Sequence, residues 1–397
     1  MDILFTNTCI KFRSFHRHIF LSLVVAAFLL VMPLFVLADT CTEGTLPSND
    51  SRYPQDQLTL ICMPTAWNGV LFVYAHGYEA PYEPLALPSV QTGGFNLAAA
   101  LMNDGFAFAT SSYHKNGWAV EQAGNDLNNL VAYFNSISPI PALKVIVLGG
   151  SEGGLITTML IEKYPDIYDG GIALCGPLGG ANLEIQYLGD FRAVFDYFFP
   201  DIFNFGIVKG IPDDVYLYED FYAAQIAFAF QNFPEKVEQL FNVTNVPHDL
   251  GGDPEVDLRA ALSLLGYSVM GFNDLAEVAS GYPYSNQFRR YSGSDNDFLL
   301  NRLVERVRPN LRGKFYLLKY YQPTGKLERP LITAHTTHDP IVPVWHQLIY
   351  STLVKFNHAE DMHVAITVPR YGHCEFEPQE LQGMIGALMT KLGVSGL

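Results

Sequence analysis

The run Val145-Ile146-Val147-Leu148-Gly149-Gly150-Ser151-Glu152-Gly153-Gly154-Leu155 constrains the fold of this 397-residue chain more than any other segment. Four apolar residues lead into G-x-S-x-G, and the helix-compatible stretch Leu155–Ile161 follows at once. The pattern predicts a buried strand, a sharp turn and a helix, with the serine hydroxyl exposed at the end of the strand. Small residues are needed at 149 and 153, where neighbouring backbone crosses close to the turn. A serine that merely caps a helix needs no such neighbours. The pentapeptide alone recurs by chance; between a strand and a helix it is informative.

The rest of the chain alternates in the same way. Leu58–Cys62, Val70–Ala75, Phe106–Thr110, 144–148 and Gly171–Cys175 read as strands, with helices at 94–103 and Val120–Phe134. After Gly176 the alternation stops for about 150 residues, then resumes with strand Pro330–His335, helix 344–355, strand His363–Val368 and helix 378–392. This order predicts an α/β fold with a mostly parallel central sheet and helices on both faces. The expected organisation is a targeting segment at 1–38, a core in two parts at 39–180 and 330–397, and a large, mainly helical insertion at 181–329. From Phe191 to Phe241 there are 15 Phe or Tyr, far above the 13% aromatic content of the whole chain. These rings serve either as an apolar lid over a pocket or as the insertion's own core.

A serine hydroxyl is a poor nucleophile at neutral pH and needs a base, held in one tautomer by an acid. On an open parallel sheet such groups collect at the carboxyl ends of strands. Asp339 follows strand 330–335 and His373 follows strand 363–368, which gives the chain order Ser, Asp, His. Glu328, Glu360 and Asp361 lie off the strand ends and are weaker acids for this purpose. His335 and His338 precede Asp339 on its own strand, so neither is placed to reach Ser151 from a different one. A metal site at His335-x-x-His338-Asp339 is disfavoured, because no third ligand cluster accompanies it.

With these motifs the sequence resembles the α/β-hydrolase superfamily, esterase- and lipase-like members included, over nearly all of residues 55–395. The carriers are the turn at 149–153, D-x-x-V-P at Asp339 to Pro343, and G-H at Gly372-His373. The resemblance implies the α/β-hydrolase fold, with 181–329 as a lid. It implies catalytic Ser151, Asp339 and His373, and an oxyanion hole made by the backbone N–H groups of Glu152 and Tyr78. His76 then orients the oxyanion loop, and Glu152 caps and packs beside the turn, its carboxylate suited to a helix N-terminus. The loop Tyr113–Trp118 either lines a pocket mouth or is an ordinary crossover. Relatives of the tannase and feruloyl-esterase kind place one cysteine directly before the serine and another after the histidine. Here Cys374 follows His373, but Gly150 precedes Ser151, which breaks that pattern. The expected reaction is cleavage of a carboxylic ester with an apolar small-molecule substrate, and no cofactor or metal is required. The alternatives are a capped serine exopeptidase of the proline type and a non-catalytic binding protein on the same fold.

Composition narrows the partners. A formal net charge of −16 repels nucleic acid and anionic membrane surfaces. Lys11, Arg13 and Arg17 precede an apolar stretch at Ile19–Leu37, with a cleavage site expected after Ala38. That predicts a secreted or periplasmic protein; uncleaved, the segment is a membrane anchor. Beyond Cys9, four cysteines allow three pairings. Cys41 with Cys62, which flank the first strand region, is the expected first pair, and Cys175 with Cys374 the second.

Overall fold

The computed structural model describes residues 39–92, 95–212 and 217–394. The expected targeting segment at 1–38, with Cys9, lies outside the described residues. An eight-stranded sheet forms the centre: β1 (Thr40–Leu46), β2 (Gln57–Met63), β3 (Val70–Ala75), β4 (Ala107–Ser111), β5 (Lys144–Gly150), β6 (Gly170–Leu174), β7 (Leu331–His338) and β8 (His363–Tyr371). In space their order is β1-β2-β4-β3-β5-β6-β7-β8. β1 and β2 pair antiparallel, as do β2 and β4; every pairing from β4 to β8 is parallel.

Both faces of this sheet are covered, which is why the central strands read as unbroken apolar runs. Successive side chains point to opposite faces. Leu71, Val73, Val145 and Val147 face one cluster, Phe72, Ile146 and Leu148 the other. Helices α1 (Leu97–Asn103), α2 (Val120–Ile137) and α3 (Glu152–Lys163) precede the long insertion, while α11 (Trp345–Phe356) and α12 (Pro378–Lys391) close the chain. α2 and α3 cover the first face through Leu127, Leu130, Ile156 and Leu160. α1 and α12 cover the second through Leu97, Leu101, Ile385 and Leu388.

Between β6 and β7 come helices α4 (Ala181–Phe198), α5 (Ala223–Asn232), α6 (Pro234–Thr244), α7 (Pro254–Gly266), α8 (Phe272–Val278), α9 (Asp297–Leu303) and α10 (Leu311–Tyr320). Two π-helical turns, Leu217–Tyr222 and Tyr267–Gly271, interrupt them. Much of the aromatic run fills the interior of this block, while Phe221, Phe228 and Phe233 are exposed. Phe191, Phe195, Phe199, Phe203, Phe230 and Phe241 are all buried. Buried Arg192 belongs to the same packing, paired with Asp196 at 2.8 Å and lying 4.0 Å over the Phe203 ring. Among the described residues none of the rings between 191 and 241 lines the pocket described below.

The cysteines pair as expected, Cys41 with Cys62 and Cys175 with Cys374. The first bridge joins directly opposed residues of β1 and β2. β1 itself has no counterpart in the sequence reading. Its residues Thr40-Cys-Thr-Glu-Gly-Thr-Leu46 are nearly all exposed and show no alternation. The ladder to β2 and the disulfide hold it. Among the described residues no helix is long and apolar enough to cross a membrane.

The β5–α3 turn depends on two glycines. A Cβ on Gly149 or Gly153 would run into the carbonyl oxygen of Ala75, and on Gly149 also into that of Gly153. Gly153→Ala is therefore expected to cost about 3 kcal/mol by overpacking. Gly386→Ala, in α12 with nothing within 4 Å of the new methyl, is expected to be neutral or to stabilise by up to about 1 kcal/mol. Thermal melts of both variants check the pair; equal effects would show that the crossing at Ala75 is not tight.

Candidate active site

Ser151 sits between β5 and α3 with φ 57° and ψ −126°, a conformation L-residues rarely adopt, and its side chain makes no capping bond. Its N–H is tied to Leu174 O on β6 at 2.9 Å, and its carbonyl accepts from Gly154 N–H at 2.9 Å. The turn is fixed at both ends, so the hydroxyl stands clear of the helix.

The sheet brings the other two candidates to it. Asp339 follows β7 and is buried; its Oδ1 accepts the N–H groups of Ile341 (2.9 Å) and Val342 (3.0 Å), which orients the carboxyl group. His373 lies in the loop after β8. Its Nδ1 donates to Asp339 Oδ2 at 2.7 Å, and Ser151 Oγ donates to its Nε2 at 2.9 Å. Three residues separated by up to 222 positions thus form one continuous relay. The rivals stand elsewhere. His335 Nε2 donates to Val342 O at 2.9 Å beside the acid, and His338 Nδ1 bonds Thr337 Oγ1 at 2.9 Å.

The second disulfide braces the histidine loop. Cys374, adjacent to His373, is joined to Cys175 just beyond β6. A Cβ on Gly150 would lie 3.5 Å from Cys374 Sγ and 3.7 Å from Cys175 Sγ. The bridge thus packs beside the residue before the serine, and the tie to the histidine loop starts one strand away. Among the described residues, the histidine, cysteine and acid side chains close enough to share a metal ion are Cys175, His373 and Cys374. Both sulfurs are in the disulfide, and a metal ligates thiolate, so this group does not suit a metal.

The loop after β3 runs over the serine. A Cβ on Gly77 would come within 3.3 Å of Ser151 Cβ and 3.9 Å of its Oγ, which places His76-Gly77-Tyr78 against the hydroxyl. His76 Nδ1 donates to Gly77 O at 2.7 Å, and its ring stacks on Tyr113 at 3.8 Å. Burial pushes this imidazole down to about 4, so it stays neutral and braces the loop. On the other side, Glu152 occupies the first turn of α3, where backbone N–H groups lack intrahelical acceptors.

The Glu152 side chain departs from expectation. Its Oε1 accepts the N–H of Ala119, at the start of α2, at 2.9 Å rather than facing its own helix end. It is buried, and desolvation pushes its carboxyl up to about 8, against the Ala119 bond and Lys115. At neutral pH it is a neutral acid, not the expected carboxylate.

A narrow pocket opens at Ser151, lined by Tyr78, Trp118, Glu152, Leu188, Tyr267 and Val342 among others. The loop Tyr113–Trp118 thus does reach the pocket. Glu184 in α4 also lines it. Its Oε2 accepts from His346 Nε2 at 3.0 Å, while His346 Nδ1 accepts the Gly179 N–H at 3.1 Å. Burial pushes the carboxyl of Glu184 up and the imidazole of His346 down. The sequence carried no signal for Glu184 or His346, since neither lies in a motif or at a strand end.

The strand order, the serine turn after β5 and the acid and histidine after β7 and β8 define an α/β-hydrolase-fold protein. No protein-family model and no curated protein matches the sequence. Among solved structures it is similar to a dipeptidyl aminopeptidase IV from Bacteroides ovatus, at 13% identity over 89% of this chain and 36% of that one, with a TM-score of 0.47. It is also similar to the acylaminoacyl peptidase of Pyrococcus horikoshii, at 10% identity over 90% and 41%, TM-score 0.43. The Pyrococcus furiosus esterase Pf2001 gives 12% identity over 89% and 91%, TM-score 0.47. The chain spans less than half the length of the two peptidases.

Because Glu152 holds its proton more tightly in the folded chain, its contribution to stability is full at low pH. It fades from about pH 4.5 up to about 8, by about 1.4 kcal/mol per pH unit at most. Melting temperatures of wild type and Glu152→Gln between pH 5 and 8 check this. The variant is expected to gain on the wild type as pH rises; parallel curves would mean that Glu152 ionises as freely as in the unfolded chain.

Proposed function

We propose that this protein is an exported serine hydrolase that cleaves carboxylic esters. The observation that carries the reading is the unbroken relay from Ser151 Oγ through His373 to Asp339, with contacts of 2.9 and 2.7 Å. His373 takes the hydroxyl proton as Ser151 attacks the ester carbonyl. Asp339 holds the ring with its Nδ1–H inward and stabilises the imidazolium. The N–H groups of Glu152 and Tyr78 receive the oxyanion. His373 passes the proton to the departing alkoxide, and water then releases the acyl enzyme by the same route in reverse. The block 181–329 acts as a lid whose Glu184, Leu188 and Tyr267 close the pocket. Two disulfides support export to an oxidising compartment.

An exopeptidase would need a fixed negative charge for its substrate's free amine. The carboxyl groups in the pocket, Glu152 and Glu184, already accept from Ala119 N–H and His346 Nε2, and burial raises the pKa of both, which supports the ester reading.

A fluorophosphonate is expected to label the wild type and not Ser151→Ala; failure to label folded wild type would favour a binding protein. Asp339→Asn is expected to fold normally and to lose about 10⁴-fold in kcat. Nitrophenyl esters are expected to turn over faster than amino-acyl anilides, and the reverse order would replace the esterase by a peptidase.

A further inference from the structure

Two residues of the pocket wall each carry a buried polar atom with no hydrogen-bond partner among the described residues, the indole Nε1 of Trp118 and the phenol Oη of Tyr78. Both residues line the pocket beside Ser151, and Trp118 is only 5% exposed. An indole N–H can only donate. Burying it unpaired forfeits its hydration with no return.

The two atoms lie close together, beside the backbone of Gly271. A Cβ on Gly271 would lie 3.2 Å from Trp118 Nε1 and 3.3 Å from Tyr78 Oη. Gly271 ends the π-helical turn whose first residue, Tyr267, is also a pocket wall. Both rings are held by packing, and the Trp118 backbone is tied as well. The Trp118 backbone N–H donates to Asp274 Oδ2 of α8 at 2.6 Å. Lys115 Nζ donates to Trp118 O at 3.2 Å and to Asp274 Oδ1 at 3.1 Å. The Tyr78 ring is held edge-on between Trp118, at 5.8 Å, and Tyr267, at 5.3 Å. The donors are therefore set in place before any ligand arrives.

Resting on the ester-hydrolase reading, we propose that Trp118 Nε1 and Tyr78 Oη form a polar subsite for an acceptor oxygen of the substrate, separate from the reacting ester. The surrounding charge selects the kind of oxygen. Among the described residues that line the pocket there is no Lys or Arg to balance a buried carboxylate, so an anionic group is disfavoured. A neutral acceptor, such as a ketone, amide or ether oxygen, fits. Leu188, Ile341, Val342 and Pro177 leave the remaining wall apolar. The preferred substrate is thus an ester with an apolar body and one further neutral oxygen, a narrower class than the apolar esters expected from the sequence.

The test uses matched pairs of esters in which a ketone oxygen replaces a methyl branch. Nitrophenyl levulinate is compared with nitrophenyl isocaproate, together with the homologues one and two methylenes longer. A parallel set of acetates carries the same groups on the alcohol. In at least one pair the wild type is expected to favour the ketone by about tenfold or more in kcat/KM, the effect of leaving a buried donor unpaired with the branched ester. Trp118→Phe keeps the ring and removes the donor, and is expected to bring that ratio towards unity. Gly271→Ala puts a methyl group in the subsite and is expected to do the same by a different route. Turnover with no ketone preference in any pair overturns the subsite alone, as does a preference unchanged in both variants. Absence of turnover on every ester, branched or keto, overturns the esterase reading and the subsite with it.

Discussion

The carbonyl oxygen of Ala75, at the end of β3, crosses so close to the start of α3 that no side chain fits at Gly149 or Gly153. That crossing fixes everything else at the site. It forces the chain through a bend in which Ser151 takes a positive φ, a strained state that only a rigid surround maintains. It also lays Gly77 against Ser151, so one contact between two strand ends both raises the hydroxyl and places the loop above it. The bond from Ser151 N–H to Leu174 O locks the bend to the next strand as well.

Acid and base reach the serine from the far side of the sheet. β6, β7 and β8 lie in sequence beside β5, and the loops after β7 and β8 deliver Asp339 and His373. Asp339 is held by two backbone N–H groups of its own turn. His373 has less local support, since its loop is partly exposed, and the disulfide from Cys374 to Cys175 supplies it. Because the bridge starts beyond β6 and passes over Gly150, it does for this loop what a cysteine before the serine would do, without adding a side chain at the turn.

What was legible in the sequence is what a two-sided sheet imposes on residue choice. Val70–Ala75 and Val145–Leu148 are apolar throughout because both faces are buried, and the serine turn announces itself by small residues that packing requires. The relay could be found because strand ends carry it. β1 was not legible: a polar, exposed edge strand has no pattern, and only its pairing and its disulfide define it. The apolar pattern ends β7 at His335, but the strand runs to His338, since its last residue pairs with β8 at Tyr371 after leaving the core. The aromatic run could be counted but not assigned, because a ring filling a helical core and a ring facing a pocket look the same in sequence. The pocket's polar members, Glu184, Trp118 and Tyr267, come from three separate segments and meet only through tertiary packing.

The division of labour follows from where those members originate. The core supplies the relay, with each member at a strand end and fixed by the sheet. The insertion supplies much of the pocket wall, and it is attached to the core by polar contacts at the pocket itself. Glu184 of α4 bonds His346 of α11, and that ring in turn accepts the N–H of Gly179. Asp274 of α8 takes the N–H of Trp118 and the ammonium of Lys115. Each contact is buried, so separating insertion from core would leave unpaired charged or polar groups in an apolar setting. The insertion is therefore held in register with Ser151 to within the tolerance of hydrogen bonds. A pocket wall fixed that firmly can choose among substrates by the placement of single polar atoms, which a loosely packed aromatic cover could not do.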